Sequence, residues 1–122
     1  MVAGLFPFKK NSRGILNSLN YCTELLQDNS NLLLLFPQGR IESLNSPSIH
    51  FEKGLDYILK HTSHPFQMIF NINLIDFFSN RKPDLFVYTS AYDHRTRALP
   101  EIEIAFNRFF HHCKKQQENI CR

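Results

Sequence analysis

The stretch that most constrains this chain is residues 32–54, LLLLFPQGRIESLNSPSIHFEKG. Its apolar run, residues 32–36, is far too short to cross a membrane and is followed at once by Pro37 and Gly39, so it reads as a buried strand that ends in a loop. Gly39 lets the backbone come close to a ligand, and backbone N–H groups beside Arg40 suit a phosphate or another anion. Past a polar loop, Phe51, Lys53 and Gly54 open a helix expected over residues 51–62.

The rest of the chain supplies the neighbours of that strand. Ile15, Leu16, Leu19, Cys22, Leu25 and Leu26 recur at spacings of three and four, which predicts an amphipathic helix from Asn11 or Ser12 to the turn-forming residues 28–31. A helix between two strand candidates, residues 4–8 and 32–36, is the pattern of a βαβ unit with parallel pairing. Residues 67–75 (QMIFNINLI) and 84–92 (DLFVYTSAY) are dominated by strand formers. Pro100 fits the first turn of a last helix, whose apolar face is Leu99, Ile102, Phe106, Phe109, Phe110 and Cys113. Glu101 and Glu103 near its start and Lys114 and Lys115 near its end suit the helix dipole. The expected fold class is therefore α/β: a mixed, largely parallel sheet flanked by helices, in one domain over residues 1–122.

The order of strand, F-P-Q-G-R, a polar loop, F-x-K-G and helix resembles the third conserved block of the glycerolipid and lysophospholipid acyltransferase family, written F-P-E-G-T-R-S and followed by F-K-x-G. Phe36, Pro37, Gly39, Phe51, Lys53 and Gly54 match it. Gln38 stands for the family's Glu, and Ile41 occupies the place of its Arg, with Arg40 one residue early. Gly4, Phe6 and Phe8 resemble the apolar part of the second block, and Lys10 stands where the family has a phosphate-binding Arg. A Lys keeps that charge but loses the bidentate fork. The family's fourth block is a strand with V-P-x-x-P; Phe66, Gln67 and Phe70 lie near those positions without either Pro.

The resemblance implies transfer of a fatty acyl group from acyl-CoA or acyl carrier protein to the hydroxyl of a phosphorylated glycerolipid or related acceptor. It implies Lys10, Gln38, Gly39 and Arg40 as the substrate-binding residues, no bound cofactor, and a peripheral cytoplasmic place at the inner face of the cell membrane. The family's base is the His of an H-x-x-x-x-D motif. None of the six His here has Asp five places on: His50 meets Leu55, His61 Phe66, His64 Ile69, His94 Leu99, His111 Gln116 and His112 Gln117. No catalytic residue is therefore assigned. The chain is expected to be the C-terminal part of such a domain, incomplete at its N-terminus and inactive alone, with a non-enzymatic lipid- or anion-binding module as the alternative. A sheet missing its front leaves strand edges and apolar surface open, which predicts self-association.

Composition narrows the other classes. A hydrophobic fraction of 43% with 20% charged residues is that of a globular chain, not a disordered one. A net charge of +3 permits an anionic partner, but no basic stripe is interleaved with aromatics as nucleic-acid modules require. Cys22, Cys113 and Cys121 are odd in number and lack C-x-x-C spacing, so they read as reduced thiols. His111, His112, Cys113 and Cys121 match no standard zinc pairing, and no metal is expected.

Overall fold

The described residues bury their apolar positions within two compact units. The computed structural model describes residues 13–43, 45–95 and 98–120. The described elements run α1 (Arg13–Leu25), α2 (Gly54–His61), β1 (Met68–Asp76), β2 (Asp84–Tyr92) and α3 (Leu99–Ile120). Contacts sort them into two compact units: Met1–Glu42 with His50–Phe66, and Ser43–Ile49 with Gln67–Arg122.

In the first unit α1 packs on α2. Leu19 and Cys22 of α1 and Ile58 of α2 are buried together, and Ile15, Leu26, Leu33, Leu35 and Tyr57 close around them. The stripe expected from spacing is thus the packing face, except that Leu16 falls off its edge and is 52% exposed. The helix stops where Asp28 accepts hydrogen bonds from the Ser30 N–H and hydroxyl at 2.9 and 2.7 Å. Such an Asx turn offers the backbone an alternative to continuing the helix. Asn31 then donates its side-chain amide to the Leu25 carbonyl, one of the groups a helix end leaves orphaned. In α2, Asp56 and Lys60 pair at 2.7 Å across one turn, acid first, which is the orientation the dipole favours.

Residues 32–36 belong to no regular element, but their exposure alternates as in a strand: Leu33 and Leu35 turn to the core while Leu32, Leu34 and Phe36 remain 62%, 65% and 62% exposed. Among the described residues, however, this segment joins no ladder. The expected helix over 51–62 is shorter, beginning at Gly54.

In the second unit β1 and β2 form a two-stranded antiparallel sheet in continuous register, from Met68 opposite Tyr92 to Asp76 opposite Asp84. This corrects the expectation of a largely parallel sheet. The connection, residues 77–83, is too short for the crossover that parallel neighbours need, which takes about a dozen residues or more. Instead it turns back through Phe78 and Ser79, both at positive φ, while Asp76 accepts from the Phe77 N–H at 2.8 Å. Phe70, Ile72 and Leu74 on the inner face of β1 are buried with Ile102, Phe110 and Cys113 of α3. The ring of Phe70 stacks on Tyr92 at 4.7 Å and meets Phe106 edge-on at 5.2 Å. Asn107 of α3 fastens the loop to the unit: it accepts from the Ile49 N–H at 2.6 Å and donates to the Ile49 carbonyl at 2.8 Å. No helix among the described residues is long and apolar enough to cross a membrane.

Candidate functional site

The Pro-Gln-Gly-Arg stretch forms a tight turn. The Gly39 N–H donates back to the Phe36 carbonyl at 3.2 Å, with Pro37 and Gln38 as the two corner residues and Gly39 at φ +64°. Pro at the first corner and Gly after the second are the residues this geometry asks for. A side chain at Gly39 would meet Cγ of Glu52 at 2.9 Å, so the position needs glycine on two grounds.

The turn is held against the start of α2. The Glu52 N–H donates to the Pro37 carbonyl at 2.7 Å, which sets the F-P-Q-G-R turn beside the F-E-K-G segment. Lys53 occupies the N-cap of α2 and makes no capping hydrogen bond with its side chain. Gly54 admits the Leu19 side chain of α1 to 3.5 Å of where its Cβ would be, so this glycine serves close packing between the two helices.

Of the residues expected to bind substrate, the structure brings Gln38, Gly39 and Arg40 together in this turn; Lys10 lies outside the described residues. The Gly39 N–H is spent within the turn, so the anion site expected from it narrows to Arg40. Arg40 has a partner that sequence reasoning missed: its Nε donates to Glu42 Oε1 at 2.7 Å. The Arg40 side chain is 65% exposed and that of Glu42 only 10%. The other oxygen of Glu42 is buried with no hydrogen-bond partner among the described residues. The signal was present as an Arg-x-Glu pair in an extended segment, where side chains two apart share a face.

The remaining candidates do not converge. Burial raises both the Cys22 and Cys113 thiols above their ordinary value, which keeps them protonated and unreactive. His111 and His112 are exposed while Cys113 is buried, and among the described residues no three His, Cys, Asp or Glu side chains gather to hold a metal. Asp93 turns to Arg95 at 3.0 Å, and that hydrogen bond holds its carboxyl below the usual range. Burial pushes His94 below its ordinary value of 6.5, against the pull of Asp93. In the second unit an open cleft of about 350 Å³ lies between the sheet and α3, lined by Phe70, Ser90, Tyr92, Arg108, Phe109 and His112 among others. Gln38, Gly39 and Arg40 do not line it.

Comparison of the chain with protein-family models, with curated proteins and with solved structures finds no match in any of the three.

Proposed function

We propose that this chain carries the acceptor-binding portion of a glycerolipid acyltransferase-like domain, and that Arg40 takes the phosphate of the acceptor. The observation that carries the reading is the hydrogen bond from the Glu52 N–H to the Pro37 carbonyl: the two halves of the block that resembles the family, separated by a polar loop, are fastened to each other. An exposed guanidinium stands on that turn. Glu42 engages its Nε, and the Nη edge, with the larger share of its donors, serves the anion.

The surroundings suit an acceptor at a lipid surface. Leu32, Leu34 and Phe36 form an exposed apolar row that leads into the turn. Apolar side chains beside a cation fit a peripheral site on the cytoplasmic face of a membrane, where the chains enter the acyl boundary and Arg40 meets anionic headgroups. The acyl donor is acyl-CoA or acyl carrier protein, no cofactor is required, and the base comes from a separate segment bearing H-x-x-x-x-D, since no His of this chain fits that motif.

A second reading rests on that last observation: without the motif, the chain acts as a lipid- or anion-binding module and performs no transfer. Titration of the chain with lysophosphatidate, followed by backbone amide NMR, tests the shared claim. Shifts centred on residues 36–42, abolished by R40Q and absent with monoacylglycerol, support it. Equal binding of R40Q overturns it. Adding a segment that carries H-x-x-x-x-D then separates the two readings, because only the first gains acyl transfer.

A further inference from the structure

We infer that β2 is an assembly edge, pairing antiparallel with β2 of a second copy about a two-fold axis that passes by Tyr88. The cover over the hairpin ends at this strand. The inward residues of β1 alternate as fully buried positions under α3, whereas those of β2, Phe86, Tyr88, Ser90 and Tyr92, are all left half-buried. Outward, Leu85 and Val87 are 62% and 57% exposed. Among the described residues β2 pairs only with β1, so its far edge presents open backbone N–H and C=O groups.

That edge carries none of the devices by which sheets refuse a neighbour. From Leu85 to Tyr92 there is no charge, proline or glycine, and the unbroken register with β1 contains no bulge. A two-stranded hairpin also gains stability from further strands.

The strand's own sequence selects a second copy as the occupant. A two-fold axis perpendicular to the sheet sets residues of the same face opposite each other, and full overlap of the nine-residue strand centres it on Tyr88. In that register Leu85 faces Ala91, Phe86 faces Ser90 and Val87 faces Thr89 of the second copy. Leu85 against Ala91 and Phe86 against Ser90 each set a large side chain beside a small one, and Val87 against Thr89 pairs two β-branched residues of similar size, which suit a strand. The one charge in the strand, Asp84, faces Tyr92 of the second copy, so like charges are kept at opposite ends. The product is a four-stranded sheet of order β1, β2, β2, β1.

Sedimentation velocity on the whole chain tests this, with the expected result a reversible dimer. V87K/T89K sets Lys against Lys at two symmetric places, and the dissociation constant should rise by about tenfold or more. I69K, at an equally exposed position on β1, should leave it unchanged. Mixing V87K with T89E should favour the mixed dimer, because that register alone sets the new charges opposite each other. Should the double variant fail to fold, amide exchange of Leu85–Tyr92 in the unmodified chain must quicken on dilution. A chain that stays monomeric, an I69K effect as large as that of V87K/T89K, no preference for the mixed dimer, or exchange indifferent to dilution each overturns the assignment.

Discussion

Replacing Gly39 by alanine isolates the backbone demand of the F-P-Q-G-R turn from everything else in the chain. Two costs arise. The φ of +64° lies in the left-handed region, where a Cβ costs about 1–2 kcal/mol. The added methyl would also stand 2.9 Å from Glu52 Cγ. Glu52 is exposed, so its side chain can swing away, and the second cost is a fraction of the first. The sum is about 1–2.5 kcal/mol, a fall in melting temperature of roughly 8–20 °C for a unit of this size. The transition should be followed by a probe in the first unit, such as the Gly54 amide, because the chain holds two compact units and need not melt in one step. G39N should recover part of the loss, since Asn tolerates the left-handed region, and G39A/E52A should recover only the small steric part. If G39A melts like the unmodified chain, or if removing the Glu52 side chain restores full stability, the turn is not held at positive φ and the reasoning fails.

Other perturbations read the second unit. Ile102 is 0% and Ile104 61% exposed on the same helix, so I102A should lower stability by about 2–5 kcal/mol and I104A by less than about 0.5 kcal/mol, as measured by urea unfolding. N107A leaves the buried Ile49 N–H and carbonyl without their partner and should cost about 2–3 kcal/mol, with faster exchange of the Ile49 amide. Because the folded His94 titrates below 6.5, the unfolded chain binds more protons there. Stability should therefore fall as pH drops from about 6.5 through the folded value and be indifferent above it, and H94Q should remove that slope. An NMR titration of the His94 ring with its midpoint at or above 6.5 would contradict this.

The elements that were legible in the sequence are those whose side chains bury against a regular partner. α1 and α3 show their periodicity because Leu19 and Cys22, and Ile102, Phe110 and Cys113, pack along one stripe each. β1 and β2 were placed to within a residue because strand formers run up to turn residues on both sides. How these strands pair was less legible only in part, since the shortness of residues 77–83 already excludes a parallel crossover. The reading of a parallel sheet came from a helix flanked by apolar runs, a pattern that says which segments are extended but not which edges meet. At the site, the turn was readable from Pro37 and Gly39, because their backbone preferences are local. The Glu52 hydrogen bond was not, since it depends on where the polar loop returns the chain, while the Arg40–Glu42 pair had only its local Arg-x-Glu spacing as a signal.

The same distinction separates residues 32–36 from β2. Both alternate in exposure, yet β2 has a neighbour in the ladder and residues 32–36 have none among the described residues. An antiparallel neighbour is cheap for β2, because the loop that returns it is short and closing such a loop costs little entropy. Residues 32–36 lie beyond a helix on one side and a proline turn on the other, so no hairpin partner is within reach. Leu33 and Leu35 pack into the first unit, which leaves Leu32, Leu34 and Phe36 facing outward before the turn that carries Arg40. On the proposed reading, the apolar face that nothing covers among the described residues is the part of the segment that meets a lipid surface. The two roles predict opposite responses to L34K: it should weaken binding of the chain to vesicles of phosphatidylglycerol by about tenfold or more while leaving urea stability unchanged within about 0.5 kcal/mol. A large loss of stability with intact vesicle binding would mean that Leu34 is core and that the membrane reading of this row is wrong.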